Sequence, residues 1–287
     1  MPSPSLRPDR SRVDAFRQGL QQACAADTRP ARFLRGYLAT CIDRVAWNVA
    51  GLEALVADRT WLDLGGFGLE PLLLRAAGVP FAGEVVSFEG DRLGLDANAA
   101  LTDVVAAMRH EVVVRQLDLE RAPLPCADRS QQVVTCFEVL EHLKFDPRSM
   151  LREIRRVLAP DGVLWLTTPN ILSTRSTVRG LLGKNPHENP RYHADPRAGV
   201  IHPKEYAPYE LRELATGCGF EVIDLRAQTF RRQGIGERMV SAGLRLLRSA
   251  ARRLLPWPHA SSHTGDNLVL LARVGRDGRD MPLLFET

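Results

Sequence analysis

The chain predicts an α/β fold, a doubly wound and mostly parallel sheet of seven strands. Two observations carry this. Seven short apolar runs alternate with stretches of helical periodicity along the 287 residues, which is the pattern of strand–helix–strand units. The first of these runs ends in Asp63 and breaks at once into a glycine-rich turn, Thr60-Trp-Leu-Asp-Leu-Gly-Gly-Phe-Gly-Leu69. Glycines allow positive φ there and let a ligand approach peptide N–H groups.

Taken in order, residues 1–12 are polar and proline-rich, and disorder is expected at such a terminus. Val13 to Cys24 and Arg32 to Val56 carry apolar residues at helical spacing and are expected to cover one edge of the sheet. Residues 1–57 thus read as an N-terminal helical cap, and 58–287 as the main domain. Strands are expected at 60–64, 84–89, 111–117, 132–137, 162–168, 220–229 and 267–274. Helices are expected near 70–77, 92–108, 147–158 and 208–217. The second strand, Val85-Val-Ser-Phe-Glu89, ends in a carboxylate that can accept from both hydroxyls of a ribose. A nucleoside-like ligand at the edge of a parallel sheet is the first inference.

Two segments break the rhythm. Residues 171–207 are rich in Pro, His, Asn and Arg with little periodicity, and are expected to form a long active-site loop. Residues 231–265 form an excursion between the last two strands, a basic helical insertion. Inside it 237–255 is basic and amphipathic, with one acid against five arginines, stopped by Pro256 and Pro258. Three readings stand for this helix. Its Leu and Val face packs on the sheet, or it lies peripherally on a membrane, or it binds a partner or RNA. Aromatics occur only at its ends, as Phe230 and Trp257, which ranks RNA last.

The bulk numbers narrow the class. The net charge of +4 is mild, and lysine occurs only at 144, 184 and 204. Cysteines at 24, 41, 126, 136 and 218 form no CxxC pair. That argues for a reducing compartment and against a disulfide frame. No signal-peptide core and no run of about 18 apolar residues is present. A cytoplasmic location follows as the expectation, peripheral at the inner membrane face if the basic helix touches lipid.

Five segments together resemble the class I S-adenosylmethionine-dependent methyltransferases over roughly residues 58–274. They are Leu62-Asp-Leu-Gly-Gly-Phe-Gly68, Ser87-Phe-Glu89, Gln116-Leu-Asp118, Cys136-Phe-Glu-Val-Leu-Glu-His-Leu143, and Arg156-Val-Leu-Ala-Pro-Asp-Gly-Val163 leading to Thr167-Thr-Pro-Asn170. The resemblance implies a Rossmann-like sheet with an antiparallel last strand, an enzyme, and S-adenosylmethionine as cofactor. It implies that Asp63, Gly65, Gly66, Phe67 and Gly68 meet the methionine part. Glu89 would hold the ribose and Asp118 the adenine amino group, with Leu119 on the ring. Cys136 and Phe137 would line the floor beside the sulfonium. The family's glycines follow the acid at spacings of two, four and six. Here those positions are Gly65, Phe67 and Leu69, so the loop is expected to be reshaped.

Glu138, Glu141 and His142 stand at i, i+3 and i+4, which share one face of a helix. With His202 they are similar to the Glu-x-x-Glu-His element of metal-dependent O-methyltransferases. That likeness implies Mg²⁺ or another divalent cation on Glu138, Glu141, His142 and His202, lowering the pKa of a substrate hydroxyl. Without metal, His142 or His202 is the candidate general base, since imidazole titrates near working pH.

The reading is methyl transfer to oxygen of a small-molecule or saccharide acceptor, with a lipid-linked glycan of polysaccharide assembly as one form of it. No Asn/Asp-Pro-Pro-Tyr/Phe motif follows the fourth strand, which disfavours nucleic-acid base methylation. Three alternatives stand beside it. They are a metal-dependent 2′-O-methyltransferase of RNA, a Rossmann dehydrogenase, and a non-catalytic binding module that Phe67 alone supports.

Overall fold

A computed structural model describes residues 8–25, 29–65, 69–88, 113–187, 202–254 and 263–275. Helices α1 (Arg10–Ala25) and α2 (Arg29–Val56) open the chain. They are followed by β1 (Thr60–Leu64), α3 (Leu69–Ala76), β2 (Ala82–Phe88), β3 (Val113–Leu117) and β4 (Gln131–Phe137). Helix α4 (Pro147–Val157) leads into β5 (Leu158–Pro169), then α5 (Thr174–Leu181) and α6 (Pro208–Gly217). The chain closes with β6 (Phe220–Gln228), α7 (Ile235–Leu254) and β7 (Asn267–Val274). The helix expected at 92–108 lies outside the described residues. No described helix is long and apolar enough to cross a membrane.

The seven strands form one sheet in the order β3-β2-β1-β4-β5-β7-β6. Strands β1 to β5 run parallel. β7 inserts antiparallel between β5 and β6. The strand order reverses between β1 and β4, and ligands bind beyond the carboxyl ends of strands at such a switch point.

Alternation along the strands sends side chains to two buried layers. Leu62, Leu64, Val134, Cys136, Leu164 and Leu166 pack under α4 and α6. Trp61, Val133, Trp165, Val269 and Leu271 pack under α1 and α2. The two N-terminal helices therefore cover a face of the sheet, not an edge as their sequence suggested. Both sheet faces carry apolar residues, so both require a helical layer. Gly51 of α2 makes this approach close, because a Cβ there would stand 2.4 Å from the ring of Trp165.

Several boundaries differ from expectation by a few residues, and three differences change the architecture. α1 starts at Arg10, inside the stretch expected to be disordered, with Val13 N–H donating to the Asp9 carbonyl at 3.1 Å. β5 begins at Leu158, which pairs with Gln131 before a register shift. The loop 171–207 contains α5, capped by Ser173, whose hydroxyl accepts from the Ser176 N–H at 3.0 Å. Eight residues are too few to display periodicity, so the cap was its sequence signal.

Candidate functional site

The site is built where β1, β4 and β5 end. Asp63, on β1, is buried, and its Oδ1 accepts a 2.6 Å hydrogen bond from Thr135 Oγ1. Thr135 in turn accepts from Trp61 Nε1 at 2.8 Å. This relay fixes the carboxylate and leaves Asp63 Oδ2 buried, with no hydrogen-bond partner among the described residues. Burial, then the charge of Glu70 on α3, raises the Asp63 carboxyl well above its ordinary range. A buried carboxylate held on one oxygen and open on the other is suited to a cationic group.

Gly65 follows with φ of 76°. A Cβ there would lie 2.2 Å from Val139 Cγ2, so both backbone and space demand glycine. Gly66, Phe67 and Gly68 lie outside the described residues, as does Glu89.

Asp118 Oδ1 accepts from the Glu120 N–H at 3.0 Å and so closes its own turn. Leu119 is buried in the layer under α4. Cys136 and Phe137 are separated by strand alternation. Cys136 enters that same layer. Phe137 packs edge-on against Trp165 at 5.4 Å in the other. The Cys136 thiol is pushed well up by burial, then by the charges of Glu141 and Asp63.

The expected helical face of Glu138, Glu141 and His142 does not form. Glu138 has φ of 54°, and only Leu140–His142 make a single 3₁₀ turn. The Glu138 carboxylate is committed elsewhere. It accepts from Thr167 Oγ1 at 2.7 Å and Asn267 Nδ2 at 2.9 Å, and pairs with Arg44 of α2 at 3.2 Å. Glu141, His142 and His202 do converge, with ligand atoms within 4.8 Å of one another. Glu141 is buried and accepts from Thr168 Oγ1 at 2.9 Å. The two imidazole rings meet edge to face at 4.8 Å.

Residues unforeseen in the sequence complete the site. His202 Nδ1 bonds Glu205 Oε1 at 2.8 Å, and Glu205 is fully buried. A buried carboxylate on one ring nitrogen sets the tautomer and turns the other nitrogen to its task. His187 Nδ1 stands 3.9 Å from the second Glu205 oxygen. The i, i+3 spacing of His202 and Glu205 was the available signal. Arg44 gave none, since it enters from a helix that precedes the sheet.

Comparison with known proteins bears on the family of this chain. Residues 31–225 match the family model described as a methyltransferase domain. A probable S-adenosylmethionine-dependent methyltransferase of Mycolicibacterium smegmatis is 32% identical over 168 residues, 58% of each chain. The chain thus spans little more than half that relative's length. A ubiquinone biosynthesis O-methyltransferase of Haemophilus ducreyi is 43% identical over 53 residues, 18% of this chain and 22% of its own. The crystal structure of an S-adenosylmethionine-dependent methyltransferase from Mesorhizobium loti aligns with a TM-score of 0.50 at 17% identity, over 80% of this chain and 97% of that one. That likeness concerns the fold alone. With the 3-2-1-4-5-7-6 sheet and a family match over most of its length, the chain belongs to the class I S-adenosylmethionine-dependent methyltransferases.

Proposed function

We propose that this chain methylates an oxygen of a small-molecule or saccharide acceptor. The observation that carries the reading is the His202–Glu205 pair facing His142 beside a separate buried carboxylate, Asp63. The free Oδ2 of Asp63 fits the cationic amino group of the methionine part of S-adenosylmethionine. Gly65 opens the backbone beside it. Glu89 would take the ribose, as carboxylates at that strand end do. S-adenosylmethionine supplies an electrophilic methyl group on sulfonium sulfur. The protein's tasks are then alignment of the acceptor oxygen and removal of its proton. His202, oriented by Glu205, accepts that proton in this reading, with His142 on the acceptor's other side. The short match to a ubiquinone O-methyltransferase supports oxygen as the accepting atom.

A second reading rests on the same side chains. Glu141, His142 and His202 offer one oxygen and two nitrogens at a spacing a divalent cation accepts. They would hold such an ion, which would acidify a hydroxyl bound to it. Glu138 does not join them, because its oxygens serve Thr167, Asn267 and Arg44.

Calorimetric titration with S-adenosylhomocysteine tests the first reading and should give a Kd near 1 μM, about −8 kcal/mol. No binding, with or without Mg²⁺, would overturn it in favour of a non-catalytic module. A separate titration with Mg²⁺ or Mn²⁺ tests the second reading. Heat that His202→Ala abolishes supports an ion at this cluster, and its absence leaves His202 as base.

A further inference from the structure

Helix α7 is mounted with its apolar side outward. Its inner side is polar. Ser241 is buried against Thr174 of α5, and Arg248 donates to the Leu172 carbonyl at 2.8 Å and to Thr177 Oγ1 at 2.6 Å. Glu237, the helix's one acid, pairs with Arg231. On the outer side, Ile235, Met239, Leu246 and Leu254 recur at helical spacing and are 79%, 70%, 73% and 80% exposed. Val240 and Leu247 widen the stripe, at 44% and 66%. Thr174 meets Ser241 and Thr177 meets Arg248, so α5 runs alongside α7 in the same direction. Its C-terminal end adds exposed Leu181 and Leu182. Arg238, Arg245 and Arg253 are also exposed on α7.

This arrangement excludes the self-packed helix expected of a surface segment, and soluble monomers rarely leave so continuous an apolar stripe in water. We propose that α7, with the end of α5, docks on an anionic lipid bilayer. The leucines, Met239 and Ile235 would enter the acyl boundary, and the arginines would meet headgroup phosphates. Charge complementarity selects this occupant. A second copy would set the exposed Arg238, Arg245 and Arg253 against the same three arginines, a like-charge contact that costs affinity. RNA would leave the apolar stripe in water, and α7 holds no aromatic for base stacking. The inference does not depend on the methylated atom or on the acceptor.

The test is flotation of the full chain with vesicles of phosphatidylcholine, with and without phosphatidylglycerol. The expected result is association with the anionic vesicles, weaker by about tenfold on phosphatidylcholine alone. Leu246→Glu with Leu247→Glu should lose roughly tenfold or more of this binding. Arg238→Glu with Arg245→Glu, which spares the apolar stripe, should do likewise. Both variants should keep the parent's thermal midpoint and its S-adenosylhomocysteine binding. No association with either vesicle, or association that both variants leave intact, overturns the proposal. So does sedimentation showing that the stripe instead joins two copies, with self-association lost in the leucine variant.

Discussion

Asp63 shows how one side chain can be tuned by its relay. Thr135 satisfies one oxygen, and the other meets no donor among the described residues. Its raised carboxyl has a definite consequence for stability. An acid whose pKa rises on folding favours the unfolded chain once that chain would ionise it. The ligand-free protein therefore loses stability as pH climbs from the ordinary carboxylate range to the raised value. Below that range both states are protonated and the effect vanishes. Asp63→Asn should flatten this slope in denaturant titrations run across pH. It should also weaken S-adenosylhomocysteine binding about 100-fold, or roughly 2.7 kcal/mol. For the parent, binding of a cationic amino group should release a proton, seen as a dependence of the calorimetric heat on buffer ionisation. An unchanged affinity in Asp63→Asn would remove Asp63 from the ligand site.

At the scale of elements, α2 is a wall of the site as well as a cover for the sheet. Arg44 pairs with Glu138, and although burial works against its charge, its pKa is raised by Tyr37 and Cys41 and then by Glu141 and Glu70. Both side chains of the pair are largely buried, 14% and 17% exposed. Removing one partner of such a pair leaves the other uncompensated, a cost of about 3–5 kcal/mol. Arg44→Met should lower the free energy of unfolding by that amount in urea titration. A loss below about 1 kcal/mol would mean that solvent screens the pair after all. The 3₁₀ turn after β4 is a second lesson at this scale. Glu138 looked like a ligand because helical spacing was assumed. A residue at positive φ leaves the helical path, and its side chain left with it.

The whole molecule is one sheet between two helical layers, and this bears on how the chain divides. Phe16, Leu20, Val45, Val49, Leu52 and Val56 all enter the layer that covers Trp61, Trp165 and Leu271. Each such side chain is worth about 1.5–3 kcal/mol of burial, while a whole domain keeps only about 5–15 kcal/mol. A chain starting at residue 58 should therefore aggregate or unfold without cooperativity in thermal circular dichroism. A sharp transition near the parent's midpoint would instead make residues 1–57 a separable cap.

Local rules determined much of this protein. Apolar runs of strand length set β1 and β7 at their expected bounds, because a strand buried in the middle of a sheet declares itself by composition whichever way its neighbours run. Asp63 and Gly65 were legible as an acid and a forced turn at a strand end, since φ and side-chain size are local properties. His142 and His202 were legible as chemistry, and their meeting follows from two loops returning to the same sheet edge. Tertiary structure alone decided the rest. It assigned Arg44 to Glu138 and Glu205 to His202, since charge pairing depends on separation in space. It placed α1 and α2 on a face of the sheet. It also turned the apolar side of α7 to solvent. Periodicity gives the stripe on a helix but not the direction it faces. That direction was set by Ser241 and Arg248, whose partners lie on α5 and in the turn before it.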